Sequence, residues 1–556
     1  MSQAAAVRPR VLRLLNLLAW TLALWTLLTT ITAAVVAYSA LPYEDEWDTW
    51  LSYLRQGYRL DWFFALHNDH RIAAPRVLFA IDHLALGGRR WLLVVSSFAL
   101  QAFLAGILMR LARPGVDGDR NQNRVLGAAI VCCLFSAQQA LNFYWGFQVQ
   151  FFMVYAAGAA ALFAMLRSSA VSGPQRAAWL AASLALACVC SYSMANGLFI
   201  WPILLLTTVW LRTPRPGPVL AGLGTVLLPA IYFHGWHVSK LDAAAPLARV
   251  VVFALANLGA PAVPLLALLG AGARASIIGT AVMGAALLSG PAVAWITLWR
   301  RKARFSGEQA VLVHFALFAA AASFAIASGR AHLPFDAAFR SRYLTPPYIF
   351  WACLLILAWP RLRSWRPPAA HALICVALFL GIAVHQTAKV REAASFGAGA
   401  RRGEAAVADG VSDLAAWPFV FRSPAEAAPA VDYLRAHRLS IFHADWTHWP
   451  GLALASRFAI DGSTGACQGS FTEVTPVPSP PRPGWRVSGE ASYPGTSGSS
   501  SFVVFADPAG TIVGVAPVVD RQWFGYVAGG PGAITAYVVA PDGKSVCKFG
   551  ARTLAQ

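Results

Sequence analysis

Apolar runs of about 20 residues recur along most of the first 390 positions of this chain, and that pattern sets the fold class before any motif is read. As a helix, each run is long enough to cross roughly 30 Å of hydrocarbon. Charged residues make up only 12% of the 556, with a mean hydropathy of +0.54. A soluble globular chain carries about twice that charge. One large soluble enzyme and a disordered chain are both excluded. The sequence reads as a polytopic α-helical membrane protein.

The net charge of +19 invites a nucleic-acid partner until its distribution is read. Residues 1–388 hold 30 Lys and Arg against 12 Asp and Glu, whereas residues 389–556 hold 14 against 13. The excess sits in short clusters between apolar runs: Arg8, Arg10 and Arg13; Arg110, Arg113, Arg120 and Arg124; Arg300, Arg301, Lys302 and Arg304; Arg361, Arg363 and Arg366. Cytoplasmic loops of membrane proteins collect such clusters without any anionic partner. No nucleic-acid role is expected.

With those clusters inside, eleven spans are expected, at about 14–38, 91–109, 125–141, 150–166, 177–194, 197–211, 218–235, 275–299, 308–328, 344–360 and 369–388. The run 246–270, broken by Gly259, Pro261 and Pro264, reads as interfacial or re-entrant, since only one crossing is needed there to return Arg300 to the inside. The N-terminus is then cytoplasmic and the C-terminus outside. Arg89 and Arg90 fall on the wrong side of this scheme.

The expected organisation is a membrane domain over 1–388 with an outer loop at 41–90, a connecting α/β segment over 389–464, and a β-sandwich-like domain over 465–556. Segments such as SFVVFADP, GTIVGVAPVV and AITAYVVAP are short, β-branched and bounded by turn residues, a small β-sandwich or barrel pattern. Six of the eight cysteines lie in apolar runs. The other two, Cys467 and Cys547, bracket the β-rich segment and are the natural disulfide pair in an oxidising compartment.

Seven of the twelve acids in the membrane part lie between positions 41 and 83, four of them in LPYEDEWDTW (Glu44, Asp45, Glu46, Asp48). Trp47, Trp50, Tyr53, Trp62 and Phe63 interleave with them, rings that belong at a membrane interface. HNDHRIAAPR then packs His67, Asp69, His70, Arg71 and Arg76 together. Partly desolvated carboxylates beside cations are where acid–base chemistry is expected. NFYWGFQVQ supplies Asn142, Trp145, Gln148 and Gln150 on the same outer side. Arg330, Arg340 and Arg342 stand outside against the charge rule, and Arg suits phosphate oxygens.

This arrangement resembles the GT-C superfamily of glycosyltransferases, which includes protein O-mannosyltransferases and the aminoarabinose transferases that modify lipid A. The acidic pair Asp45–Glu46 in YEDEWDTWLSYL, the stretch HNDHRIAAPRVLFAIDHLALGG with the following RRWLLVVSSFALQAFLAGILMRLA, and NFYWGFQVQFF carry the likeness over roughly 11–170. The His-Pro-Pro junction commoner in the family is altered, with Asn68 or Arg71 where Pro is expected. The resemblance implies a multi-pass protein of the bacterial cytoplasmic membrane that takes a sugar from a polyprenyl-phosphate donor. The acceptor is a glycan, a lipid or a protein on the outer, periplasmic face. It implies Asp45 as base and Glu46 as a residue that orients the acceptor or holds a divalent cation such as Mg or Mn. Asp48, His67, His70, Trp145, Gln148 and Arg330 become substrate contacts, and Arg71, Arg340 and Arg342 phosphate ligands. A transporter or flippase of lipid-linked glycan and a non-catalytic glycan-binding membrane protein are the alternatives.

Overall fold

The computed structural model describes residues 2–113, 120–236, 245–300, 306–362, 368–461, 467–493, 502–530 and 532–555. Arg301, Lys302, Arg304, Arg363 and Arg366 of the basic clusters lie outside the described residues. The chain divides into two compact units. The first comprises Met1–Val36, Phe63–Leu78 and Leu93–Ala393; the second comprises Ala37–Trp62, Phe79–Leu92 and Ala394–Gln556.

The first unit is helical. Across the chain, seven helices among the described residues are long and apolar enough to cross a membrane: Arg13–Ala37, Trp91–Ala112, Arg124–Tyr144, Gly146–Ala170, Leu247–Leu268, Ala273–Gly290 and Gly307–Arg330. Six of these coincide with expected spans. The seventh, Leu247–Leu268, is the run expected to be interfacial or re-entrant, and it is interrupted by a 3-10 turn at Ala260–Ala262. The remaining expected spans coincide with helices Gly173–Ser191, Ile200–Trp210, Gly217–Tyr232, Thr345–Leu362 and Pro368–Ala408. Length and apolarity by themselves establish seven.

Small residues set the close packing in this unit. A Cβ on Gly259 would fall 2.0 Å from the carbonyl oxygen of Thr280, and one on Gly284 would fall 2.0 Å from that of Leu255. Only glycine permits this reciprocal backbone approach between helices Leu247–Gly259 and Ala273–Arg300. The first unit also contains a small hairpin, β1 (Leu66–His67) and β2 (His70–Arg71), turned by Asn68 at φ 50. Asn tolerates that left-handed conformation better than most residues.

Helix Ala73–Leu86 has an inverted pattern. Val77, Ile81 and Leu84 are exposed on one stripe, while Arg76, Asp82 and His83 are buried. An apolar outer stripe with a polar inner face suits hydrocarbon on the outside better than water.

In the second unit, helices Asp45–Gln56 and Pro424–Ala436 share a core in which Trp47, Trp417, Phe421, Leu434 and Phe442 are buried. The rest is one antiparallel-dominated sheet: β3 (Ala459–Asp461), β4 (Gln468–Val477), β5 (Gly484–Ser492), β6 (Phe502–Ala506), β7 (Ile512–Val519), β8 (Gln522–Ala528), β9 (Gly532–Val539) and β10 (Ser545–Leu554). The strand order is β3-β10-β9-β6-β7-β8-β5-β4, with β3 parallel to β10. The sheet curls into a half-barrel, bringing the Phe471 ring of β4 to 6.1 Å from Phe549 of β10. Cys467, just before β4, is disulfide-bonded to Cys547 of β10 across that gap, as expected from the sequence. The expected β-rich segment is therefore present, as a single curled sheet.

The helix Pro368–Ala408 ends against this sheet within the second unit. The Asp409 carboxylate accepts from the amides of Val515 (3.1 Å) and Tyr526 (3.3 Å), and burial pushes its pKa well up. Burial also acts to raise Asp413, but hydrogen bonds from the Tyr526 hydroxyl, the Ala415 amide and Arg486 outweigh it and hold this carboxyl below its usual range.

Candidate functional site

The candidate acids open helix Asp45–Gln56, where carboxylates favour the positive end of the helix dipole. Glu44, at φ 47, turns the chain into this helix and donates its amide to the Val420 carbonyl at 2.8 Å. Asp45 is half-buried in the first turn, and its carbonyl accepts from the Thr49 hydroxyl at 3.3 Å. Glu46 turns inward. Its Oε2 lies 2.5 Å from Arg90 Nε and accepts the Tyr43 amide at 3.0 Å, while Oε1 lies 3.2 Å from Arg90 Nη2. Arg90 Nη1 donates to the carbonyls of Ser39 (2.5 Å) and Leu41 (3.0 Å). Asp48 forms a bidentate pair with Arg422 at 2.9 and 3.0 Å, and Arg422 also reaches Glu426 at 2.8 Å. The cluster of four acids thus separates into a buried ion pair at Glu46, a surface pair at Asp48, and Asp45 at the helix start.

Two further carboxyls lie in the same unit. Asp82 accepts the Arg90 amide at 3.1 Å, and burial, reinforced by the nearby Glu46 charge, pushes its pKa up to about 6 against the opposing pull of Arg90. Glu404 accepts from the Ser39 hydroxyl at 2.6 Å and is raised by burial. The position of Arg90 against the charge rule has a physical reason here. Its charge is neutralised by a buried carboxylate and does not report on loop polarity.

In the first unit, the cations of HNDHRIAAPR are engaged with backbone. Arg71 donates through Nε to the Tyr232 carbonyl (2.6 Å), through Nη1 to that of Phe64 (2.5 Å) and through Nη2 to that of His234 (2.6 Å). Arg76 Nη1 donates to the carbonyls of Phe63 and Ala65. His67 faces His70 across the hairpin and lies 4.8 Å from the Phe147 ring, which in turn stacks at 6.1 Å on Trp145. His67, Trp145 and the segment carrying Gln148 are therefore brought together; Gln148 is buried. His70 is lowered by burial, with Asp69 opposing and Arg330 adding to that shift.

The third group is the segment after helix Gly307–Arg330. Arg330 Nε donates to the Tyr343 hydroxyl at 3.0 Å, and the Arg342 guanidinium lies 4.9 Å from the Tyr343 ring centre. Arg340 is exposed and Arg342 half-buried, with Arg342 Nε buried and lacking a hydrogen-bond partner. Among the described residues, none of Arg330, Arg340 and Arg342 has a carboxylate within 4.0 Å. Arg71 is held by carbonyls; these three have no carboxylate partner among the described residues.

Among the described residues, no group of three or more His, Cys, Asp or Glu side chains is placed to hold a metal ion. The carboxylate suggested for a divalent cation, Glu46, already faces Arg90. Among the described residues, the side chains suggested for a metal do not form a site for one.

Sequence reasoning missed Arg90 as the partner of Glu46, and also missed Arg249 and Asn257. Asn257, within the apolar run VVVFALANLG, carried a usable signal, because a buried amide in a membrane helix needs a partner. Comparison with protein-family models, curated proteins and solved structures finds no match.

Proposed function

We propose that this protein is a membrane glycosyltransferase that moves a sugar from a polyprenyl-phosphate donor to an extracytoplasmic acceptor, with inversion at the anomeric carbon. The observation that carries the reading is the arginine segment Arg330–Arg342, three cations following an apolar helix with no carboxylate partner among the described residues. Such cations at a membrane boundary call for an anion, and a lipid phosphate is the one that resides there.

In this reading Asp45 takes the proton from the acceptor hydroxyl as its oxygen attacks the anomeric carbon. The bond from that carbon to the phosphate oxygen breaks, and its electron pair leaves with the polyprenyl phosphate. Arg340 and Arg342 are the residues assigned to the phosphate of the donor. One displacement with one base inverts the centre. The proposed setting is a bacterial cytoplasmic membrane, with the N-terminus inside and the sheet domain outside.

The test is transfer from purified polyprenyl-phosphate sugars, joined to mass spectrometry of envelope glycans with and without the gene. Arg340→Ala and Arg342→Ala should weaken donor use more than acceptor use. Lys at either position should rescue only partly, since it offers a point charge without the planar fork. Unchanged donor affinity in both Ala variants rejects the assignment.

A further inference from the structure

The segment from Ala331 to Tyr343 contains no helix longer than the 3-10 turn Phe335–Phe339, yet side chains from other elements hold its backbone at several points. Arg249, in helix Leu247–Gly259, donates to the carbonyls of Ala331 and Leu333 and lies over the Phe335 ring at 4.6 Å. Asn257, on the same helix, donates from Nδ2 to the carbonyls of Ala338 (2.9 Å) and Tyr343 (3.2 Å). Asn142 directs its Nδ2 toward the carbonyls of Ser341 (3.3 Å) and Arg342 (3.4 Å) and toward the Thr345 hydroxyl (3.0 Å). The Leu141 amide adds a bond to the Ser341 hydroxyl at 3.1 Å.

The two asparagines therefore grip the stretch that carries Arg340 and Arg342, one at its ends and one at its middle. Both are fully buried, and the Oδ1 of each has no hydrogen-bond partner. A buried amide oxygen with no hydrogen bond costs desolvation free energy at either position. What the amides provide instead is a fixed backbone under two arginines, where an irregular segment would otherwise sample many shapes.

We infer that Asn142 and Asn257 are positioning residues that preset Arg340 and Arg342 for a phosphate group. This rests on the proposed reading of those arginines as the donor-phosphate site. Neither asparagine is required to touch the ligand; each acts through the carbonyls it holds.

The experiment uses the full chain in lipid nanodiscs, with a polyprenyl phosphate and the matching neutral polyprenol as probes. Asn142→Ala and Asn257→Ala are each expected to weaken phosphate binding about 2–10-fold, the worth of one or two net hydrogen bonds. Polyprenol affinity should stay unchanged. Combining either change with Arg342→Ala should add less than the single effects predict, because both act on one group. Asn257→Leu, which keeps the branched shape of the side chain without its donor, repeats the test where Ala leaves a cavity. Asn196→Ala is the control. Asn196 is also buried, donates to the Tyr155 hydroxyl at 3.1 Å and has an unpartnered Oδ1, but it holds no part of the arginine segment. It should leave the phosphate-to-polyprenol ratio unchanged. If Arg342→Ala weakens phosphate binding and neither asparagine change does, the positioning role is wrong and the phosphate site stands. If Arg340→Ala and Arg342→Ala both leave phosphate binding intact, the phosphate site itself is wrong.

Discussion

Arg90 Nε lies 2.5 Å from Glu46 Oε2, and each side chain is only 6% exposed. The pair joins the start of helix Asp45–Gln56 to the turn after helix Ala73–Leu86, and through the carbonyls of Ser39 and Leu41 it also fixes the chain leading into the acidic cluster. Glu46 is thereby a structural partner of Arg90, and Asp45 is the acid of the DE pair whose removal should bear on chemistry.

Replacing one member of a buried ion pair leaves the other charge without compensation. Glu46→Gln should destabilise the second unit by about 3–5 kcal/mol, and Glu46→Leu combined with Arg90→Met should recover much of that loss. Thermal unfolding and protease resistance of the sheet domain measure it. Equal unfolding temperatures for Glu46→Gln and the parent chain would contradict the structural role.

Asp82 supplies a pH dependence of defined sign. Its pKa is raised from the ordinary 3.8 to about 6, chiefly by burial, so the folded state binds the proton more readily than the unfolded state. The stability from this group is fully present below about pH 4 and is lost as the pH rises through about 6. Asp82→Asn, which keeps an oxygen for the Arg90 amide, should flatten that slope and raise stability at pH 7.5. The gain is on the order of 1–3 kcal/mol. A stability profile between pH 4 and 7 that is identical with and without the change would sink this assignment.

Asp45→Asn should abolish sugar transfer with little loss of folding, since the change is near-isosteric at a half-buried helix start. Loss of a general base typically costs about 10²–10⁴ in rate. Asp48→Asn is the contrast. It breaks a partly exposed pair with Arg422, worth at most about 1 kcal/mol, and should leave turnover nearly intact. Near-parental turnover in Asp45→Asn would move the search for the base to Asp69.

Cys467 and Cys547 are 80 residues apart, and closing a loop of that length restricts the unfolded chain. The chain-entropy treatment gives about 4.5 kcal/mol for such a loop, so Cys467→Ser should lower the unfolding temperature of the sheet domain markedly. Alkylation under non-reducing conditions should leave both thiols unmodified in the parent chain. Ready labelling of Cys467 there would rule out the bond.

Features with a local signature were legible in the sequence. Apolar runs announce their helices, alternating β-branched segments announce β6, β7 and β9, and the two cysteines outside the apolar runs announce each other. Features made by distant pairing were not. Arg90 looked like an exception to the charge rule because its partner Glu46 lies on another element. The second unit takes Ala37–Trp62 and Phe79–Leu92 from within the apolar half of the chain; the acid-rich stretch 41–83 marks the outer loop but not its division between two units. Strand patterning left sandwich and barrel both open for this segment, because alternation specifies which residues face inward but not whether the strands close into one sheet or two.

The second unit also imposes an order on synthesis. The Ser440 hydroxyl donates to the carbonyl of Ala40 across 400 residues of chain, and the side chains that bury Trp47 extend to Phe442. At about 5–20 residues per second, the ribosome delivers those partners roughly 20–80 seconds after the acidic helix has been made. Until residue 407 has been made, a tryptophan destined for complete burial has none of its core neighbours from the C-terminal region. The nascent helix must wait with its inner face uncovered, and a chain released before residue 407 has none of those partners to cover it.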